Sequence, residues 1–588
     1  MEKWFVAAKK ADFEKWAVEF HISPVLARVL RNRDLTEEAQ VERFLYGTLK
    51  DCYSPWLLKD MDRAVELILK AVEQSIKLRV IGDYDVDGIC SSYILTKGLG
   101  LLGIQVDTAI PHRIYDGYGL NEHLIQEAAR DGIGMIITCD NGIAAAPQIA
   151  QAVELGIQVI VTDHHEVPFA LAEDGSRKEL LPPALAVIDP KQEQCSYPFP
   201  GICGGVVAYK LVTALAEKSG NRELNGALEE FLELAALATV CDVMELKDEN
   251  RILVKEGLKR LKNTKNPGLR ALIEVNSLQP ERLSAYHLGF VVGPCLNATG
   301  RLDTAVRALE LLQSKTTAEA MSAARELKEL NDSRKNLTAR GVEQAEEYIA
   351  EHHLEQDKVM VIFLPEVHES LAGIIAGRIR ERYNHPVFLL TRGEEGVKGS
   401  GRSVEGYHMY EAMTAVKQYF TKFGGHAMAA GLSMEEEDIE PLREALNANC
   451  GMVPEDFVPK VHIDVPMPLD YAGEEIAGEL ELLEPFGVGN PKPLFAQKEL
   501  TFLSGYLMGS NKSAARYRVR TPEGSVKQLV FFGELEKFDT FLDQKYGPGS
   551  AAALYEGRAG LQISVAYQLG MNTYRGRTEV QYVMQHYC

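Results

Sequence analysis

The sequence predicts an α/β protein: a parallel-sheet domain, joined by a long helix to a second α/β domain, and then a small C-terminal β-barrel. Three observations carry that reading. From about residue 78, short β-branched runs alternate with helix-like segments. A helical stretch striped with leucine and alanine follows near residue 306. Beyond about residue 495 there are only short alternating runs separated by turns.

A chain of 588 residues exceeds what one hydrophobic core can serve, so several domains are expected. Residues 1–60 read as an amphipathic helical segment, interrupted near Ser54-Pro55. Residues 61–305 contain the runs LRVIGD, IQVDTAI, GMIITCD, IQVIVTD and ALAVID, alternating with segments such as NEHLIQEAAR and PQIAQAVELG. Buried strands separated by single helices imply βαβ crossovers and a parallel sheet. Ligands of such sheets bind beyond the carboxyl ends of the strands. A linker helix is expected over 306–355. A second α/β domain, 356–450, opens with KVMVIFLP and holds the glycine-rich segments GVKGSGRS and KFGGHAMAAGLS. Residues 451–494 form a connecting segment that ends in EPFGVGNPKPLF. The tail, 495–588, has the runs ELTFLSGYLM, ARYRVRT, KQLVFFG, LQISVAYQL and TEVQYVMQ without convincing helices. A small barrel of the OB type is the usual solution at this size.

Composition excludes several classes. No stretch approaches the roughly 18 uncharged apolar residues of a membrane helix, and the charged start MEKWFVAAKKADFEKW lacks the apolar core of a secretory signal. Nine cysteines without paired spacing read as reduced thiols, so a cytoplasmic protein is expected, without membrane contact. The net charge of −21 argues against a coating protein for nucleic acid but leaves a nuclease open, because binding depends on where basic groups cluster.

The acidic clusters carry the chemistry. GDYDVDG places Asp83, Asp85 and Asp87 two residues apart, so an extended backbone would point them to one side. Three carboxylates that close repel one another unless cations lie between them. A calcium-binding helix–loop–helix is the obvious competitor. It needs a glutamate at loop position 12, and that position falls on Ile94 or Thr96. Asp140 ends GMIITCD. Asp163, His164 and His165 end IQVIVTDHH, and Asp242 ends LAALATVCD. Singly, each aspartate has the bland reading of a helix cap or turn former, and the histidine pair that of partly exposed packing. Together they fall on one edge of one expected sheet.

In order, GDYDVDG, TCDNG, VTDHH and an aspartate after a small-apolar run resemble the motifs of the DHH phosphoesterases. GPCLNATGR, VHESLAGIIAGRI, KGSGRS and FGGHAMAAG resemble further signatures of the RecJ branch of that family and of its second, DHHA1 lobe. The resemblance covers roughly residues 50–500. It implies a DHH catalytic domain at 61–305, a DHHA1 domain at 356–450 and an OB-fold at 495–588. It further implies two divalent ions, with Asp140 bridging them, Asp83 and Asp85 serving one, and Asp87, His164 and Asp242 the other. Where the pyrophosphatase branch carries a histidine, this chain has Ile81, which favours the nuclease branch.

Mixed oxygen and imidazole ligands without thiolate suit Mn²⁺, with Mg²⁺ as a substitute. Asp163 is expected to orient a histidine ring, and His165 to contact the phosphate in the transition state. The resemblance assigns Arg113, Tyr118, Ser400 and Arg402 to a pocket for a 5′-terminal phosphate, and places Asn297 and Arg301 near the scissile site. Gly424, Gly425 and His426 could let backbone N–H groups and a ring donor approach a phosphate, or mark only a tight turn. ARYRVR alternates basic and aromatic residues as base-stacking barrels do, but so does any half-exposed strand.

The implied activity is a two-metal-ion 5′-to-3′ exonuclease that threads single-stranded DNA between the DHH and DHHA1 lobes and releases 5′-mononucleotides, in repair and recombination. Single-stranded DNA is the expected partner, with a single-strand-binding protein and a helicase as candidate protein partners. The alternatives are a DHH oligoribonuclease or cyclic-dinucleotide phosphodiesterase, whose members usually lack the extra terminal segments, and a non-catalytic replication scaffold, which would have lost its ligands.

Overall fold

The computed structural model describes residues 2–113, 115–117, 119–171, 175–393, 396–509, 511–574 and 576–588. The chain divides into two compact units. One comprises Cys52–Met244 and Leu253–Val458; the other comprises Met1–Asp51, Glu245–Ile252 and Pro459–Cys588.

In the larger unit, five strands form an all-parallel sheet in the order Val106–Ala109, Leu78–Ile81, Met135–Cys139, Gln158–Thr162, Ala186–Ile188. The three central strands are buried almost throughout, as β-branched runs covered on both faces must be. The chain leaves Leu78–Ile81 to one side for the next strand and returns on the other side for Met135–Cys139. That reversal makes a switch point, and the crevice beyond the carboxyl ends of those two strands is where such sheets bind ligands.

Two helices precede the second sheet. Val306–Gln313 ends before Thr316, which caps the helix Thr317–Glu351 in a reciprocal box with Glu319. At 35 residues the second helix runs about 50 Å. The second sheet has the order Lys422–Gly425, Ala429–Met434, Val397–Arg402, Val387–Arg392, Met360–Phe363. Only its last pair is parallel. Both glycine-rich segments are therefore strands, and FGGHAMAAG is a hairpin closed by the His426 N–H donating to the Ala429 carbonyl at 2.8 Å.

In the smaller unit, the strands Phe495–Met508, Ala514–Arg520, Val526–Phe531, Arg577–Tyr587 and Leu561–Tyr574 pair in that order, and the last pairs back onto the first, closing a barrel. The tail is not purely strand, as its turn-rich sequence suggested. Helices Leu535–Tyr546 and Ser550–Tyr555 lie between the third and fourth strands of the chain order and bury Phe538, Leu542 and Leu554. Tyr517 of ARYRVR faces inward against Phe502 and Phe538, while Arg516, Arg518 and Arg520 face outward. The alternation is thus one of inside and outside, and Tyr517 cannot stack on a base.

The segments 1–60 and 451–494 contribute more than a free helical piece and a connector. Lys3–Val6 pairs in parallel with Lys460–Ile463. Helices Phe13–Phe20, Pro24–Asn32 and Glu38–Tyr46 send Trp16, Phe20, Leu26, Leu30 and Leu45 into the core that holds Phe495, Phe502 and Tyr567 of the barrel. Helices of eight or nine residues are not stable alone, so their apolar faces need this partner. Arg251 locks the unit. It is 1% exposed, stacks 3.9 Å over the Phe44 ring, and donates to the carbonyls of Phe44, Leu482 and Leu483 at 2.7–2.9 Å. Burial lowers its pKa to about 9.

Arg251→Ala would take the donor from the Phe44 and Leu482 carbonyls, while Leu483 keeps the Asn490 amide, a cost of at least about 2 kcal/mol. Hydrogen exchange followed by mass spectrometry should show protection lost across residues 13–46 and 480–490, with the strands between 78 and 188 unaffected. Uniform loss across both units would mean that Arg251 does not act within one of them.

Candidate metal centre

The loop after Leu78–Ile81 does not stay extended, as the spacing of its aspartates suggested. Asp85 is an N-cap whose carboxylate accepts from the Gly88 N–H at 3.1 Å, and Asp87 lies in the first turn of the helix Val86–Leu101. The tight turn needs Gly88, where a Cβ would stand 2.4 Å from the Asp83 carbonyl oxygen. Asp87 is held from the other side as well. Its two oxygens accept from the Gly204 and Gly205 N–H groups, at 2.7 and 2.6 Å, at the start of the helix Gly204–Ser219. A Cβ on Gly205 would meet Ala238 at 2.6 Å. The motif CGG that supplies these donors was not singled out from the sequence. Its signal was a glycine pair opening a helix, where N–H groups are unsatisfied and favour an anion.

Asp140 follows Met135–Cys139 in a left-handed conformation, φ 61°, uncommon for a residue other than glycine. Asn141 steadies the turn by donating its amide to the carbonyls of Ile81 and Cys139, tying together the two strands that flank the switch point. Asp163 is buried at the end of Gln158–Thr162 and accepts from the N–H groups of Ile143, His164 and His165 and from His165 Nδ1 at 2.7 Å. Asp242 is not on the sheet edge. It is the C-cap of the helix Arg222–Cys241, because LAALATVCD folds as a buried helix rather than a strand.

These side chains converge. His164 Nε2 lies 3.0 Å from Asp140, 3.5 Å from Asp87 and 3.6 Å from Asp242. Three overlapping groups could each hold a cation, with donor atoms within 4.8 Å of one another: Asp83, Asp85 and Asp140; Asp87, His164 and Asp242; and Asp140, His164 and His165. Burial, then the charges of Asp87, Asp85, Asp83 and Asp242, push the Asp140 carboxyl well above the usual range. Burial and the Asp85 charge do the same to Asp83. Asp242 is pushed up to about 8 by burial and by Asp87 and Asp85. Asp163 behaves oppositely: burial would raise it, but the His165 hydrogen bond and charge hold it below the ordinary value. Burial would lower His165, yet Asp163, Asp242 and Asp87 push it up to about 9. Asp83 Oδ1 and His164 Nδ1 are buried without a hydrogen-bond partner. Oxygen and imidazole donors, crowded, desolvated and partly unpartnered, fit a pair of divalent cations.

The basic residues gather beside Asp83 and Asp85. Asn297 accepts from the Val86 N–H at 3.2 Å, and Gly300 packs against the Tyr84 carbonyl, where a Cβ would stand at 2.5 Å. Arg301 donates to the Ser370 carbonyl at 2.7 Å. Burial lowers its pKa to about 10, helped by the charges of Arg113, Arg334 and Arg402. Arg113 lies over the Tyr84 ring at 4.8 Å and lines a cleft of about 500 Å³ with Glu369, Lys398, Lys422 and Gly424. Lys398 and Lys422 went unnoticed in the sequence, where single lysines on strands carry no signal. Ser400 and Arg402 face the first turn of the helix Ala372–Tyr383, whose Gly373 leaves only 2.6 Å between a Cβ and Arg402 Nη2. Gly425 and His426 are set apart from Gly424, on a second cleft with Lys191 and Tyr410. Tyr118 lies outside the described residues.

Residues 77–239 match the DHH family, N-terminal domain; residues 356–452 match the DHHA1 domain; and residues 463–586 match the RecJ OB domain. The single-stranded-DNA-specific exonuclease RecJ of Bacillus subtilis is 32% identical over 588 residues, covering 99% of this chain and 70% of that protein. This chain belongs to the RecJ family. The RecJ of Escherichia coli is 32% identical over 96% of both chains. Crystal structures of Thermus thermophilus RecJ with Mn²⁺ and with Mg²⁺ superpose with TM-scores of 0.80 and 0.74, at 27% and 26% identity. They cover all of the RecJ-family chain and 79% and 78% of theirs.

Filling the centre should relieve the repulsion among its carboxylates. A divalent cation at about 100 times its dissociation constant should stabilise the protein by about 2.7 kcal/mol. Asp140→Ala should abolish that gain, as read by thermal unfolding and titration calorimetry. An unchanged cation-dependent shift in the variant would remove Asp140 from the ligands.

Proposed function

We propose that this chain is a two-metal-ion exonuclease that degrades single-stranded DNA from its 5′ end to 5′-mononucleotides. The observation that carries the reading is one juxtaposition: a desolvated carboxylate–histidine cluster at the switch point of the sheet, with a half-buried guanidinium cluster beside it. The first suits divalent ions, and the second suits the terminal phosphate of a strand end. The named activity of the relatives supports the substrate. Asp83, Asp85, Asp87, Asp140, His164 and Asp242 would hold the ions. Mn²⁺ fits the mixed donor set, and Mg²⁺ is the substitute. When bound, the ions supply an activated water and neutralise the phosphate oxygens.

The rest follows from the chain's own groups. Asp163 accepts from His165 Nδ1 and so fixes the ring, leaving Nε2 to donate to a phosphate oxygen as charge builds there. Asn297 positions the aspartate loop through Val86, and Arg301, fixed on Ser370, adds a positive charge beside it. Ser400 and Arg402, facing the first turn of Ala372–Tyr383, would grip the terminal phosphate together with Arg113. The outward arginines of the barrel offer a row for a sugar–phosphate backbone.

Manganese-dependent digestion of end-labelled single strands, against duplexes and dinucleotides, tests the reading; preference for dinucleotides over long strands would favour the small-substrate alternative. Arg402→Ala or Arg113→Ala should cost about 1.5–3 kcal/mol on 5′-phosphorylated ends and little on 5′-hydroxyl ends. Equal losses on both ends would assign these arginines to internal backbone. Replacing Arg516, Arg518 and Arg520 by glutamine should flatten the salt dependence of long-strand binding by about 0.7 in log–log slope per lost contact. An unchanged slope would take the barrel row off the path of the strand.

A further inference from the structure

The second sheet turns one face to its core. Val397 and Leu432 are buried there with Phe423 against them, and a Cβ on Gly399 would meet Leu390 and Leu432 at 2.4 and 3.3 Å. Side chains alternate along a strand, so the residues between these point to the other face. Register orders that second face into rows. Lys398 and Lys422 both pair with Ser433, one from each side, which sets ammonium, hydroxyl and ammonium groups across three strands. The next row is Gly424, Gly431 and Ser400, and Arg402 belongs to the row after it. Successive rows lie about 7 Å apart, and each spans about 10 Å.

The middle row is bare. A Cβ at Gly424 or Gly431 would meet no atom within 4 Å, so open space stands above the backbone between the lysine row and Arg402. This floor belongs to the cleft that Tyr84 and Arg113 also line. Lys398 lies 3.1 Å from Glu369, which offsets part of its charge, whereas Lys422 is exposed. None of the three rows carries an aromatic ring, so the surface offers nothing on which a base could stack. Ammonium and hydroxyl groups around a floor without side chains suit phosphate oxygens instead.

The proposed function puts a terminal phosphate on Ser400, Arg402 and Arg113, and leaves the lysine row beyond Ser400 without a role. We propose that Lys398, Ser433 and Lys422 bind the second and third phosphates of a 5′-oligophosphorylated strand end. The inference rests on the single-strand exonuclease reading and widens its substrates to ends that carry a phosphoanhydride chain. A strand begun de novo from a nucleoside triphosphate has such an end. With its first phosphate on Ser400 and Arg402, the chain would run over the bare row to the lysines. Water would attack the phosphorus of the first diester, and the bond from that phosphorus to O3′ of the first nucleotide would break. The O3′ would leave with a proton from the water. The first product is then an intact nucleoside 5′-triphosphate, and the shortened strand keeps an ordinary 5′-phosphate for the next round.

The test uses the full chain with Mn²⁺ and one single-stranded sequence bearing a 5′-monophosphate or a 5′-triphosphate. The first product is identified by ion-exchange chromatography, and kcat/KM is read from its early rate at fixed free Mn²⁺. The wild type should release a nucleoside triphosphate, at least as efficiently as it releases the monophosphate from the other strand. Lys398→Gln with Lys422→Gln should lose about tenfold on the triphosphorylated strand, as for one charge-assisted contact, and leave the monophosphorylated strand unchanged. Lys398→Arg with Lys422→Arg should keep the activity. Inorganic tripolyphosphate should compete with the triphosphorylated strand in the wild type, and more weakly in the glutamine variant. Equal losses on both strands would overturn the proposal by placing the lysines on internal backbone. Competition by a free nucleoside triphosphate, with the triphosphorylated strand left uncut, would overturn it in favour of a free-nucleotide site. A monophosphorylated strand left undigested by the wild type would instead sink the exonuclease reading itself, so the two failures are told apart in one preparation.

Discussion

Carboxylates that share a dry crevice cannot all remain ionised without positive charge among them, and much of the larger unit is arranged around that constraint. Asp83, Asp85, Asp87, Asp140 and Asp242 arrive from three different parts of the chain. Asp87 hangs between two helix starts, Asp140 is turned inward by a strained backbone, and Asp242 is delivered by the end of a buried helix. The fold holds the repelling groups close, and a pair of cations is what makes that closeness favourable.

The guanidinium cluster is the complement of this arrangement. Arg301 is half-buried and acted on by Arg113, Arg334 and Arg402, so positive groups crowd beside the negative ones. Asn297 and Gly300 bring the two clusters to within one loop of each other. On the proposed reading, a strand end would satisfy both clusters at once, its terminal phosphate meeting the guanidinium groups and its next diester the metal centre.

Much of this was legible in the sequence, and the exceptions have physical causes. The β-branched runs announced the parallel sheet, and Asp83, Asp140 and the Asp163–His165 group stand at strand ends where alternation put them. Asp242 was placed on the right crevice by the wrong element, since a buried run of alanine and leucine has no periodicity that separates helix from strand. The Gly204–Gly205 contribution was missed because backbone donors leave no side-chain signature. The inward Tyr517 shows the limit of reading alternation: period two gives two faces and does not say which is wet. The N-terminal segment was legible as amphipathic helix but not as part of the barrel core, because the sequence does not reveal which distant segment covers an apolar stripe.

The pairing of Lys3–Val6 with Lys460–Ile463, and the shared core behind it, also sets an order of events during synthesis. At the usual 5–20 residues per second, the first helices leave the ribosome roughly half a minute to a minute and a half before their partners exist. The whole larger unit, by contrast, can close as its own strands emerge. The early apolar stripes of Trp16, Phe20, Leu26 and Leu30 therefore wait, without the core that covers them, until the barrel has been made.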